Sequence, residues 1–162
     1  MTMPKVGDKG PAFAAKDETG KVHKLSDYKG KPLVLYFYPK DDTTGCTKEA
    51  CGFRDHLGAV SKFGAAVLGV SRDDAASHQK FKTKYDLNFP LLVDADGTIS
   101  DAYGTWGEKN MYGRTYMGMY RTTFLIAPDG TIAKVWAKVH PEGHAQEVID
   151  ALQAWTATAK AK

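Results

Sequence analysis

The sequence predicts an α/β sandwich with a mixed central sheet flanked by helices, and three observations carry that reading. Apolar runs alternate with stretches of helical period in the order β-α-β-α-β, as in parallel strands joined by right-handed crossovers. Two further strands are joined by Ala127-Pro128-Asp129-Gly130, a connection so short that they must run antiparallel. The 162 residues suit one domain, 1–162, and show no repeat, linker or internal boundary.

In chain order, the first thirty residues read as a small N-terminal hairpin around Asp17-Glu18-Thr19-Gly20. Residues 33–38 are a continuous apolar and aromatic run, as expected of a strand buried on both faces, and Pro39 ends it. From Cys46 the apolar positions fall at Cys46, Ala50, Phe53, Leu57 and Val60. Those steps of four and three residues trace one face of a helix. Residues 65–70 form a second buried strand. Residues 75–85 read as a helix, with Asp73 or Asp74 near its start and His78, Phe81 and Tyr85 at helical spacing. Residues 90–93 make a short strand, 122–126 and 131–136 the antiparallel pair. A helix over 145–155 turns Ala145, Val148, Ile149 and Leu152 inward. The last six residues, 157–162, are small and charged and read as a frayed tail.

Composition narrows the function. A net charge of +3 is spread along the chain with no basic stripe, against a nucleic-acid partner. The longest apolar run, residues 32–39, falls well short of the ~18 residues of a membrane span. Nothing near the N-terminus resembles the apolar core of a signal peptide, so the expected location is the cytoplasm.

The chain has two cysteines, Cys46 and Cys51, five residues apart. In a reducing compartment such a pair is more often redox-active or metal-binding than structural. Zinc takes four protein ligands, or three and a water. The five histidines are scattered, and His140 and His144 are separated by a stretch holding Pro141 and Gly143, so no metal and no cofactor is expected. Thioredoxins carry Cys-x-x-Cys rather than this Cys-x4-Cys. Flavin disulfide reductases share the spacing but need a Gly-x-Gly-x-x-Gly loop and a far longer chain. Cys46 falls in the first turn of its helix. Unpartnered backbone N–H groups and the positive end of the dipole there favour a thiolate. Thr43 and Thr44 are the N-cap candidates. The competing reading is an inert thiol on the apolar helix face.

Residues Pro39-Lys40-Asp41-Asp42-Thr43-Thr44-Gly45-Cys46 fit the motif Pro-x-x-x-Thr-x-x-Cys of the peroxiredoxins. The flanking Tyr36-Phe37-Tyr38 and the stretch from Thr47 to Asp55 resemble the bacterioferritin comigratory protein (peroxiredoxin Q) branch. So do the stretches 103–109 and 121–126. One departure is Thr44, where this branch usually carries Pro, which leaves the loop less rigid.

The resemblance implies a thioredoxin-like fold and thiol-dependent reduction of hydrogen peroxide and organic hydroperoxides. It implies Cys46 as the peroxidatic cysteine, Pro39 and Thr43 as its loop partners, Arg121 as a distant arginine and Cys51 as the resolving cysteine. It further implies recycling by thioredoxin or a similar dithiol, and a monomer. The chemistry agrees. Charge grows on the oxygen that leaves a peroxide, so fixed donors speed the step. Arg121, the N–H groups of Gly45 and Cys46, and the Thr43 hydroxyl are candidate donors. Arg54 and Arg114 compete with Arg121 for the role. Glu49 is assigned a supporting role, its competing reading being a first-turn acid favoured by the dipole.

The alternatives are a general thiol–disulfide oxidoreductase and a redox-sensing or holdase-like binding module. Disulfide formation also makes a demand on the helix. Residues five apart in an intact helix have Cα atoms roughly 8.6 Å apart, pointing about 140° away from each other. A disulfide needs about 7 Å or less, so a turn around residues 46–52 must open.

Overall fold

The computed structural model describes residues 2–160. Its centre is a five-stranded sheet in the order β5-β4-β3-β8-β9. The strands are β3 (Leu33–Phe37), β4 (Ala66–Ser71), β5 (Leu91–Val93), β8 (Thr122–Ile126) and β9 (Ile132–Trp136). β3 pairs in parallel with β4, and β4 with β5, through crossovers containing α1 (Thr44–Ser61) and α2 (Ala75–Tyr85). β8 lies antiparallel to both β3 and β9. This is the mixed sheet that the element order predicts.

β3 is central and wholly buried, and its period of two divides the core. Val34 and Tyr36 face one layer, with Ala50 and Phe53 of α1, Phe81 of α2 and Val148 and Leu152 of α4 (His144–Lys160). Leu33, Leu35 and Phe37 face the other, with Phe13, Tyr103 and Phe124. Gly69 of β4 lies opposite Tyr36. A Cβ there would come within 3.0 Å of the Tyr36 hydroxyl and 2.9 Å of Leu91, so only glycine lets that ring lie flat.

The structure extends or corrects several expectations. The N-terminal hairpin pairs β1 (Ala14–Lys16) with β2 (Val22–Lys24), followed by a short 3-10 turn. Helix α1 begins two residues before Cys46. α2 is capped by the Asp74 side chain, which accepts from the Ser77 amide at 2.8 Å. The five-residue helix α3 (Thr98–Ala102) is too short to show a period. A further hairpin, β6 (Trp106–Met111) with β7 (Arg114–Met119), fills the stretch between α3 and β8, which carries no apolar period in the sequence. It turns through Tyr112 and Gly113, both at positive φ (53° and 79°), as a two-residue hairpin loop requires. α4 carries the backbone in helical form to Lys160, across residues 157–160 where a frayed tail was expected. Residues 161–162 of that tail lie outside the described residues. No helix among the described residues is long and apolar enough to cross a membrane.

Candidate active site

Three pieces of chain meet at Cys46: the loop after β3, the start of α1, and the residue just before β8. Pro39 stops β3, and the loop crosses to α1 through Asp42, a residue at φ 58°. Thr43 is the N-cap position, in extended conformation. Its hydroxyl, however, donates to the Lys40 carbonyl at 2.9 Å and makes no cap bond to the helix. Thr43 thus ties the loop to itself, and the residue is exposed. Cys46 is the third residue of α1 and only 1% exposed.

Arg121 reaches this sulfur from 75 residues away in sequence, its Nη2 donating to Cys46 Sγ at 3.4 Å. Its Nη1 donates to Glu49 Oε1 at 2.9 Å. The main chain at Arg121 is held in turn, its carbonyl accepting from the Val139 amide at 2.9 Å. The side chain is 18% exposed, so the charge is largely withdrawn from water. Burial works against that charge, but Cys46 and Glu49 together hold the guanidinium above its ordinary value. Neither competitor reaches the sulfur. Arg54 pairs with Asp55 and the Tyr85 carbonyl, and Arg114 lies on the exposed β7.

Gly45 has a spatial role. A Cβ on it would lie 3.0 Å from Arg121 Nη2 and 3.3 Å from Pro141. A side chain here would push the guanidinium off the sulfur.

Glu49 is not a surface acid of the first turn. It sits in the second turn with a fully buried side chain. Burial pushes its carboxyl up to about 7, against the downward pull of Arg121's charge and hydrogen bond. Among the described residues, its Oε2 and the Tyr36 hydroxyl are buried without a hydrogen-bond partner. Cys51 is half-buried on the same unbroken helix, and both thiols are free. A hollow opens beside Arg121, lined by Met3, Lys109, Tyr120, Ala137, Lys138 and Val139.

Sequence reasoning missed the buried group Asp41, Asp73 and His78, whose ligand-type atoms lie within 4.8 Å of one another. Hydrogen bonds from Tyr38, Ser71, Ser77 and the Asp41 amide already occupy these carboxylates. The one available signal was a histidine on the apolar face of α2.

Residues 6–135 match the AhpC/TSA family. The chain belongs to that family. Within it, the protein is similar to a putative peroxiredoxin bcp of Coxiella burnetii, 52% identical over 147 residues, covering 91% of this chain and 97% of that protein. Peroxiredoxin Bcp of Bacillus subtilis is 45% identical over 153 residues, covering 94% and 97%. Among solved structures, a cysteine-to-serine mutant of Xylella fastidiosa PrxQ superposes with a TM-score of 0.91 at 37% identity, covering 96% of this chain and 99% of that one. The Xanthomonas campestris bacterioferritin comigratory protein superposes with a TM-score of 0.86 at 40% identity, covering 93% and 98%. The protein is a peroxiredoxin of the Bcp/PrxQ branch with a thioredoxin-type fold, and its reaction class is thiol peroxidase.

Proposed function

We propose that the protein reduces hydrogen peroxide and organic hydroperoxides through a sulfenic acid on Cys46. In this reading a disulfide to Cys51 follows, reopened by thioredoxin or a similar dithiol. The observation that carries it is the Arg121 guanidinium bridging Cys46 Sγ and the buried Glu49. The thiolate is the form that attacks peroxides, and this fixed cation touches the sulfur that would carry its charge.

The chemistry follows from that arrangement. The Cys46 thiolate attacks the near oxygen of ROOH in line with the O–O bond. That bond breaks and the departing RO⁻ takes a proton, giving ROH and Cys46–SOH. Arg121, turned toward the sulfur, and the free N–H groups at the helix start stabilise the growing charge. The Cys51 thiolate then attacks the sulfenic sulfur. Hydroxide leaves and takes a proton to become water as the Cys46–Cys51 bond forms. A dithiol reduces this bond by exchange and is itself oxidised. In this scheme Thr43 and Pro39 shape the loop, Gly45 leaves room for Arg121, and Glu49 orients it.

The hollow beside Arg121 supports organic hydroperoxides as substrates, since it offers the carbon chain an apolar wall. The Xanthomonas relative is described in terms of alkyl peroxide reduction. Both cysteines lie on one helix, which supports a cycle closed within one chain and a monomeric enzyme. Dependence on a dithiol reductant fits the cytoplasm.

A thioredoxin-coupled peroxidase assay tests the scheme. Cys46→Ser should lose peroxide reduction. Cys51→Ser should still form the sulfenic acid, trapped by dimedone, yet lose most of its turnover. Wild-type turnover in Cys46→Ser would refute the assignment.

A further inference from the structure

Beneath the loop that precedes Cys46 lies a buried polar cluster in which the peroxide chemistry needs no member as a reactant. His78, on α2, is fully buried. Its Nε2 lies 2.8 Å from the Leu92 carbonyl of β5. A carbonyl only accepts, so Nε2 carries a proton. Its Nδ1 lies 2.6 Å from Asp41 Oδ2. That oxygen also accepts the Ser77 hydroxyl at 2.8 Å, while Asp41 Oδ1 accepts the Tyr38 hydroxyl at 2.5 Å. A carboxylate surrounded by donors on both oxygens makes Nδ1 a donor too, which gives an imidazolium.

The backbone of Asp41 is held as well. Its amide donates to Asp73 Oδ2 at 2.8 Å, and that oxygen is fixed by the Ser71 hydroxyl at 2.7 Å. Asp41 therefore cannot shift without breaking contacts to Tyr38 at the end of β3, to α2 and to the connection between β4 and α2. It stands two residues after Pro39 and two before the N-cap Thr43. A second tether, from Asp42 to Lys84 and Tyr85, is exposed, with side chains of Asp42 and Lys84 41% and 57% accessible. The buried pair is 4% and 0% accessible. Exposed ion pairs contribute little in water, whereas breaking a buried one is costly. The buried tether is the one that decides where the loop sits.

We propose that the His78–Asp41 pair is a positioning device for residues 39–45, holding the loop and the first turn of α1 so that the N–H groups at Gly45 and Cys46 and the guanidinium of Arg121 converge on one sulfur. This rests on reading Cys46 as the nucleophile. His78 and Asp41 are positioning residues that touch neither Cys46 nor the peroxide.

The device responds to pH. Burial pulls His78 down, but the hydrogen bond and charge of Asp41, with smaller help from the Leu92 carbonyl and Asp73, raise it above its ordinary 6.5. The groups facing the ring are Asp41 from the loop, Asp73 from the β4–α2 connection, Ser77 from its own helix, Leu92 from β5 and the ring of Tyr38, the residue after β3, at 6.4 Å. A raised histidine contributes fully below its unfolded value and is lost as pH rises through the folded one. The histidine's part of the anchor is therefore full below 6.5 and loosens as pH rises through its higher folded value.

Stopped-flow rates with hydrogen peroxide on Asp41→Asn, His78→Gln and Lys84→Met test the proposal, alongside Cys46→Ser. The first two should lower kcat/KM for peroxide at least tenfold and leave the KM for the dithiol reductant unchanged. Lys84→Met should stay within twofold. Ser77→Ala removes a single donor from Asp41 and should cost about threefold, so it serves if the larger changes do not fold. The wild type provides a readout without any substitution. Amide exchange of residues 41–46 should accelerate with the midpoint at which the His78 imidazole resonances titrate. Wild-type peroxide rates in the folded variants, or exchange indifferent to that titration, would overturn this inference alone. Full activity in Cys46→Ser would overturn it together with the proposed function.

Discussion

Arg121 engages Cys46 and Glu49 with two nitrogens of one guanidinium, and each contact carries its own prediction. The first concerns rate. Arg121→Ala removes a fixed donor and charge from the sulfur, and loss of one such donor costs roughly 10²-fold. Stopped-flow kinetics with hydrogen peroxide should show that fall. An unchanged rate would mean that the Arg121 guanidinium is not a donor in the rate-limiting step with peroxide. The second concerns Glu49. Its folded carboxyl titrates at about 7 against 4.5 for the ordinary group. Between those values the folded protein keeps a proton that the unfolded chain has released. Stability contributed at this site therefore falls as pH rises from about 4.5 to 7, by on the order of 3 kcal/mol if the whole shift is realised. Urea midpoints of wild type and Glu49→Gln across that window should diverge, the variant being the flatter. Parallel curves would mean that Glu49 is ionised in the folded state throughout.

Helix α1 was legible because its inward positions keep a regular step. Cys46, Ala50, Phe53 and Val60 are all buried where the period places them. The β6–β7 hairpin was not, because its strands run polar and half-exposed, with no alternation to detect. For Glu49 the sequence offers a supporting role but not its burial, for a related reason. A charged side chain beside an apolar stripe reads as solvent-facing until its partner is known, and Arg121 lies 72 residues further on. At this scale the testable property is how easily α1 opens. Cys46 and Cys51 share an intact helix and cannot bond until about one turn unwinds. Thr44 is the first helical residue, and Thr43 before it is extended at φ −97° and ψ 158°. Both conditions suit proline at that position. Thr44→Pro should stabilise the reduced protein by roughly 0.4–1 kcal/mol and slow disulfide formation after a single peroxide turnover. Amide exchange of residues 46–52 should rise on oxidation in the wild type. Equal protection in both redox states would contradict the opening.

For the molecule as a whole, the two redox states should differ in stability in an unusual direction. A disulfide ordinarily stabilises by restricting the unfolded chain. The loop closed by Cys46 and Cys51 is so short that this term is only about 2 kcal/mol in the chain-entropy model. Against it stands what the opened turn gives up. Several backbone hydrogen bonds are lost, each worth about 1 kcal/mol net. In the proposed disulfide form the burial of Cys46 should go, and with it the contact with Arg121. The damage is bounded by Phe53, which is fully buried, stacks on Tyr36 at 4.8 Å and meets His144 edge-on at 5.7 Å. That cluster fastens the rest of α1 to β3 and α4, so opening stops before it and the sheet remains intact. The losses exceed the gain by a few kcal/mol, and each kcal/mol shifts the melting temperature of a domain this size by about 2–4 °C. Calorimetry should find the oxidised protein melting several degrees below the reduced one, in a single transition. Oxidised protein that melts at or above the reduced form would mean that the helix survives oxidation, or that Cys51 is not the partner of Cys46.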